Sequence, residues 1–150
     1  MRPDILLLAW GMSAVLGLIA LMHLLWGLGV SFPRGDRSSL ARTVIGAAGR
    51  DGIMPSSSAC VLVALMIGAV TLLPLIQVAV ILTPLYFNQI QAAALVVAAV
   101  FALRGLAAWT PMWRRRFPGR PFADLDRWLY GPLCLALAAG FLTLEFCHPR

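Results

Sequence analysis

Four apolar stretches, residues 5–30, 59–82, 89–109 and 129–147, alternate with polar connections along the chain. Each is close to the roughly 20 residues that a helix needs to cross the hydrocarbon of a bilayer. Leucine, alanine, valine and glycine dominate them, a mixture that suits close helix packing. The pattern predicts an all-α protein, a four-helix transmembrane bundle forming one membrane domain over residues 1–150. The first stretch is far longer than a signal-peptide core and has no clear cleavage site after it, so it is expected to stay as the first span.

The connections carry their own signals. Residues 39–45 read as a short amphipathic helix with a serine cap, lying along the interface between spans 1 and 2. Gly46, Gly49 and Gly52 end it. Pro55 and the serines at 56–58 open span 2, Pro74 kinks it and Pro84 marks its exit. Asp124 or Asp126 is placed to cap span 4, whose first turns contain Gly131-Pro132.

Composition strengthens the membrane reading. The chain is 61% hydrophobic and 12% charged, with a mean hydropathy of +0.87, outside the range of soluble domains. The formal net charge of +6 comes from arginine alone, since lysine is absent. These arginines fall between apolar stretches, which marks membrane-face anchors and argues against nucleic acid as a partner. Arg34, Arg37, Arg42 and Arg50 lie in the first connection, and Arg114, Arg115, Arg116, Arg120 and Arg127 in the third; Arg2 and Arg150 are left for the opposite side. The positive-inside rule then puts both basic connections in the cytoplasm and both termini outside. Trp109, Trp113 and Phe117 interleave with the arginines as a membrane belt.

Arg104 interrupts an otherwise uncharged span. A guanidinium in hydrocarbon costs at least about 2.5–3.5 kcal/mol, so the side chain either meets a polar partner or snorkels to the headgroups. Helical spacing sets other polar groups at the same level. His23 and Trp26 share a face of span 1. Ser57, Cys60, Ala64, Gly68 and Thr71 line span 2. Arg104 falls in register with Ala93, Val97, Val100 and Ala107, a face expected to pack inward. On span 4, Asp126, Tyr130, Cys134, Leu137, Phe141 and Glu145 fall within about 100° of arc.

The bland alternatives are local. His23 can serve as a packing hydrogen-bonder, Cys60 and Cys134 as small core residues, and Asp126 and Tyr130 as groups that fix span 4. Glu145, with Gln77, Gln89, Gln91 and His148 toward the terminal side, reads as an interfacial carboxylate or as a proton or cation site. No metal or cofactor is called for: the two histidines lie at opposite faces, and Cys60, Cys134 and Cys147 have no zinc or haem spacing. The glycine run at 46–52 lacks a phosphate-loop lysine.

Several segments together resemble a known family. They are His23-Leu-Leu-Trp26-Gly-Leu-Gly29, Val44-Ile-Gly46 through Met54-Pro55-Ser56, Ala59-Cys60, Arg104-Gly105, and the block from Pro121 to Cys134 that contains Asp126, Tyr130 and Pro132. The chain is similar over nearly its whole length to the small bacterial four-span membrane proteins called domain of unknown function 3995. Gly131 stands where that family is expected to have serine. The resemblance implies the bundle, a bacterial inner-membrane location and this choice of residues; it supplies no reaction.

Three functions fit these residues. One is a binder of a membrane-embedded amphiphile, a lipid or isoprenoid-like molecule, with Arg104 at its polar head, Trp26 and Trp109 flanking its body, and Ser57, Cys60 and Cys134 lining the site. The second is an enzyme on such a molecule, with His23 as acid or base and Tyr130 or Asp126 as proton partner. The third is a subunit of a homo- or hetero-oligomer, docked through Ser13, Gly17, Ala20, Leu24 and Gly27.

Overall fold

The computed structural model of the protein describes residues 3–46, 53–78 and 87–146. Arg2, Gly49, Arg50, Gly52, Pro84, residues 79–82, Cys147, His148 and Arg150 lie outside the described residues, and with them the far ends of the second and fourth apolar stretches. The order is α1 (Pro3–Gly27), α2 (Arg37–Val44), α3 (Ser57–Thr71), α4 (Leu73–Val78), α5 (Phe87–Ala107), α6 (Pro111–Arg116), α7 (Phe122–Leu125), a π turn (Asp126–Tyr130) and α8 (Gly131–Phe146). Four continuous runs are long and apolar enough to cross a membrane: Pro3–Gly27, Ser57–Val78, Asn88–Ala107 and Phe122–Phe146. The chain is a multi-pass, all-helical membrane protein.

Local chemistry sets the breaks. Gly29 takes a φ of +94°, and the N–H of Val30 returns to the carbonyl of Leu25 at 2.9 Å, so a left-handed glycine closes α1 in a Schellman-type cap. Asp36, rather than a serine, caps α2: its carboxylate accepts the N–H of Ser39 at 2.9 Å. A short acidic side chain takes the capping place from the serines, and the Ser38 hydroxyl donates to the same carboxylate oxygen at 2.6 Å. Ser56 caps α3. Pro74 has no N–H to offer and span 2 breaks just before it, between α3 and α4. The hydroxyl of buried Ser13 donates to the carbonyl of Thr71 at 2.8 Å, tying span 1 to this break.

Span 4 starts at Phe122, ahead of the apolar stretch itself, and neither Asp124 nor Asp126 caps it. Asp124 pairs with Arg120 at 3.4 Å, while Asp126 sits inside the π turn. Pro132 cannot donate to the carbonyl four residues back, and the preceding turn widens so that Gly131 N–H bonds Asp126 O.

Packing divides the bundle into two ends. Ile5, Ala9, Met12 and Leu16 of α1 meet Val78, Ala94, Ala98, Leu137, Phe141 and Leu144 in one buried cluster toward the terminal end. There α4 touches α1, α5 and α8. Higher up, toward the connections, α3 packs principally on α1 and α8 on α5. The span 4 face from Asp126 to Phe141 turns inward as its spacing predicts. Span 3 differs: Ala94, Ala98, Gly105 and Ala108 are its buried residues, while Ala93 and Val100 are exposed. Small residues occupy both faces of that helix, so composition could not choose between them. Outward-facing Leu7 and Leu103 are 73% and 70% exposed, as a lipid-facing surface requires.

Ser13, Gly17 and Gly27 lie against span 2 within the chain. A Cβ on Gly17 would stand 3.7 Å from the Thr71 methyl, and one on Gly27 would stand 2.8 Å from Val61. Ser13, Gly17 and Gly27 of the small-residue face of span 1 therefore pack within the chain.

Candidate functional site

The two basic connections meet at one end of the bundle. Thr110 caps α6 and Pro111 fills its first turn, a signature that fixes where Trp113 points. Its indole Nε1 donates to Asp126 Oδ2 at 2.9 Å. Arg104 Nη2 donates to the other oxygen, Asp126 Oδ1, as an ion pair. The Arg104 guanidinium also lies over the Trp113 ring, 4.9 Å from its centroid, a cation–π contact. Asp126 is buried; the Arg104 side chain keeps 31% exposure.

This arrangement uses both carboxylate oxygens and one edge of the guanidinium. Arg104 Nη1 is buried without a hydrogen-bond partner among the described residues, and so is Arg127 Nε. A buried donor left unpaired costs about 1–3 kcal/mol, more when charged. Close helix approach makes the geometry possible. A Cβ on Gly105 would stand 2.7 Å from Leu135 and 3.0 Å from the Gly131 carbonyl, and one on Gly131 would stand 3.0 Å from Ala108 Cβ and 3.1 Å from the Trp109 ring.

The first connection folds over the same end. Tyr130 OH donates to the Thr43 carbonyl at 3.3 Å. Arg34 Nε donates to Thr43 Oγ1 at 3.1 Å, and that hydroxyl donates to Ser39 O at 2.8 Å. Gly46 adopts a φ of +61° with its α-carbon against the Phe122 ring. Leu40, Ala41 and Thr43 are buried where α2 meets α7. One face of α2 is thus committed to protein. At its start, the Ser38 hydroxyl and then the Ser39 N–H hold the Asp36 carboxyl well below the usual carboxylate range.

The remaining predicted residues take distinct places. His23 Nδ1 donates to the Ile19 carbonyl at 2.8 Å. Its ring lies 4.8 Å from that of Trp26, whose Nε1 donates to the Phe32 carbonyl at 2.8 Å. Each of these contacts falls within span 1 and the turn after it. Asp126 and Tyr130 share the π turn with each other. Ser57 is exposed at the start of α3, Cys60 is buried beneath it, and Cys134 is a partly buried free thiol one turn beyond Tyr130. Trp109 is 38% exposed beside Gly131. Sequence spacing did not single out Trp113 as a partner of Asp126; the Thr110-Pro111 cap was the available signal. Among the described residues no group of three His, Cys, Asp or Glu is placed to hold a metal.

A second polar group lies at the terminal end. Gln91 Nε2 donates to Glu145 Oε1 at 2.5 Å, and Gln77 Nε2 donates to Glu145 Oε2 at 3.3 Å. Three spans contribute one side chain each.

The family model described as "Protein of unknown function (DUF3995)" matches residues 16–141. No curated protein matches the chain, and no solved structure does.

Proposed function

This chain belongs to the DUF3995 family, and within that four-span frame we propose that it binds a membrane-embedded amphiphile, lipid or isoprenoid-like, whose polar or anionic head meets Arg104. The observation that carries the reading is the guanidinium itself. Asp126 and Trp113 hold it from two sides, while Nη1 is buried with no acceptor among the described residues and the side chain is still a third exposed. A phosphate or carboxylate oxygen satisfies such a donor with a charge-assisted bond.

The shape of the bundle supports the same ligand class. At the connection end α3 packs principally on α1, and α5 on α8, so the two helix pairs are joined there mainly through α2 and α7. An acyl or prenyl chain would lie against the outward apolar side chains of the bundle, Leu103 among them at 70% exposure. The arginine bias of both connections supports a reading in which this end lies in the cytoplasmic leaflet, with both termini outside, in a bacterial inner membrane.

Native mass spectrometry of gently purified protein, with extraction of what it retains, tests the reading. The wild type is expected to carry a defined anionic or polar-headed lipid. Arg104→Gln should lose it while melting cooperatively in the same detergent. Equal retention by both, or no retained molecule in either, overturns the assignment.

A further inference from the structure

A different part of the molecule carries a second binding proposal. Glu145 lies in the last described turn of α8. A carboxylate packed against an apolar core is costly unless something offsets it. Among the described residues no arginine or histidine forms an ion pair with Glu145; neutral amides meet it instead, from Gln77 of α4 and Gln91 of α5. Among the described residues Gln77 Oε1 is buried without a hydrogen-bond donor, an unmet acceptor beside an anion. Beneath the group lie Leu144, Phe141 and Val78, all buried and apolar, so neither the carboxylate nor the spare amide oxygen finds a polar partner deeper in the bundle.

We propose that Glu145, Gln77 and Gln91 form a binding site for a small monovalent cation of the sodium class at the terminal end of the bundle. The donor chemistry selects this class. All the acceptors are oxygens, which suit hard cations. Rotating either amide by half a turn exchanges its nitrogen for oxygen, so two carboxylate and two amide oxygens can converge on one ion. A single carboxylate neutralises one positive charge, whereas divalent sites draw on several. Because the ligands come from α4, α5 and α8, the ion would pin the segment after the Pro74 break to spans 3 and 4. The site is independent of the Arg104 site at the opposite end.

The test uses the purified full-length protein in detergent, melted in sodium, lithium, potassium and choline chloride at constant ionic strength. A saturable rise in melting temperature with sodium or lithium over choline is expected. Glu145→Gln should abolish that rise, and Gln77→Leu should weaken the apparent affinity about tenfold by removing one oxygen. If Glu145→Gln does not fold, the Gln77→Leu comparison decides alone. No difference between sodium and choline in the wild type overturns the proposal, as does a sodium response undiminished in Gln77→Leu. Stabilisation by acid pH with no cation dependence would assign the carboxylate to proton binding and overturn it equally.

Discussion

Arg104 and Asp126, 22 residues apart in sequence, close an ion pair between spans 3 and 4 where the Trp113 indole supplies the carboxylate's other donor. The pair binds the third connection to both helices that it joins. Losing one member strands the other. Breaking a fully buried pair costs roughly 3–5 kcal/mol; with Arg104 a third exposed, Asp126→Ala should cost about 2–3 kcal/mol. The double variant Arg104→Met, Asp126→Leu should be less destabilised than the sum of the single changes. A double-mutant cycle from unfolding in mixed micelles measures this, and strict additivity would show that the two residues do not interact.

Glycine contacts predict a sharp contrast. Gly105→Ala must push Leu135 and the Gly131 carbonyl away, so a loss of about 1–3 kcal/mol is expected. Gly11 has nothing within 4 Å of its added Cβ, and Gly11→Ala should be neutral or stabilising by up to about 1 kcal/mol. Melting temperatures of the two variants side by side give the answer; equal shifts would contradict the span 3 to span 4 approach.

Gly46 holds the first connection against Phe122 in a backbone conformation that L side chains rarely adopt. Gly46→Ala is expected to detach that connection at a cost of about 1–3 kcal/mol. Limited proteolysis after α2 should speed up, with the spans left intact. Phe122→Ala should fail to rescue it, because the strain of the positive φ persists.

Asp36 gives a pH dependence with a definite sign. Its folded carboxyl titrates below the unfolded one, held down first by the Ser38 hydroxyl and then by the Ser39 N–H. The cap therefore contributes fully above the ordinary carboxylate value of about 3.9 and loses its contribution as pH falls below it. Protection factors of the α2 amides, taken relative to the intrinsic exchange rate at each pH, should fall on acidification. Asp36→Asn keeps an acceptor without a titrating group and should flatten that dependence; an unchanged profile would place the sensitivity elsewhere.

The proposed orientation rests on the arginines. Alkaline phosphatase fused after Arg150 should be active, and a cysteine at Arg115 should be shielded from impermeant reagents added outside. An inactive fusion reverses the orientation and moves the Arg104 site to the other leaflet.

The four spans were legible because hydropathy alone requires them, and the inward face of span 4 because Asp126, Leu137 and Phe141 repeat at helical spacing. The inward face of span 3 was not: alanines and valines cover both sides, and the choice is made by Gly105 and Ala108 meeting Gly131. Both halves of the Arg104 pair stood out as candidates, yet their union depends on α6, six residues whose course is set by a threonine cap and a proline. The Glu145 group was visible as polar residues on one side. Its assembly depends on the break at Pro74, after which α4 reaches α5 and α8.

That break has a consequence for the membrane as much as for the protein. Beyond it the four spans gather around one apolar cluster; before it they part into two pairs. The two ends of the bundle are thus built differently, one gathered around a shared core and the other held as two helix pairs. On the proposed reading of Arg104, a lipid in the leaflet of the paired end would reach the guanidinium sideways without leaving the bilayer, while the same lipid in the opposite leaflet would first have to flip across. Recognition by this fold would distinguish where a molecule resides as well as what it is.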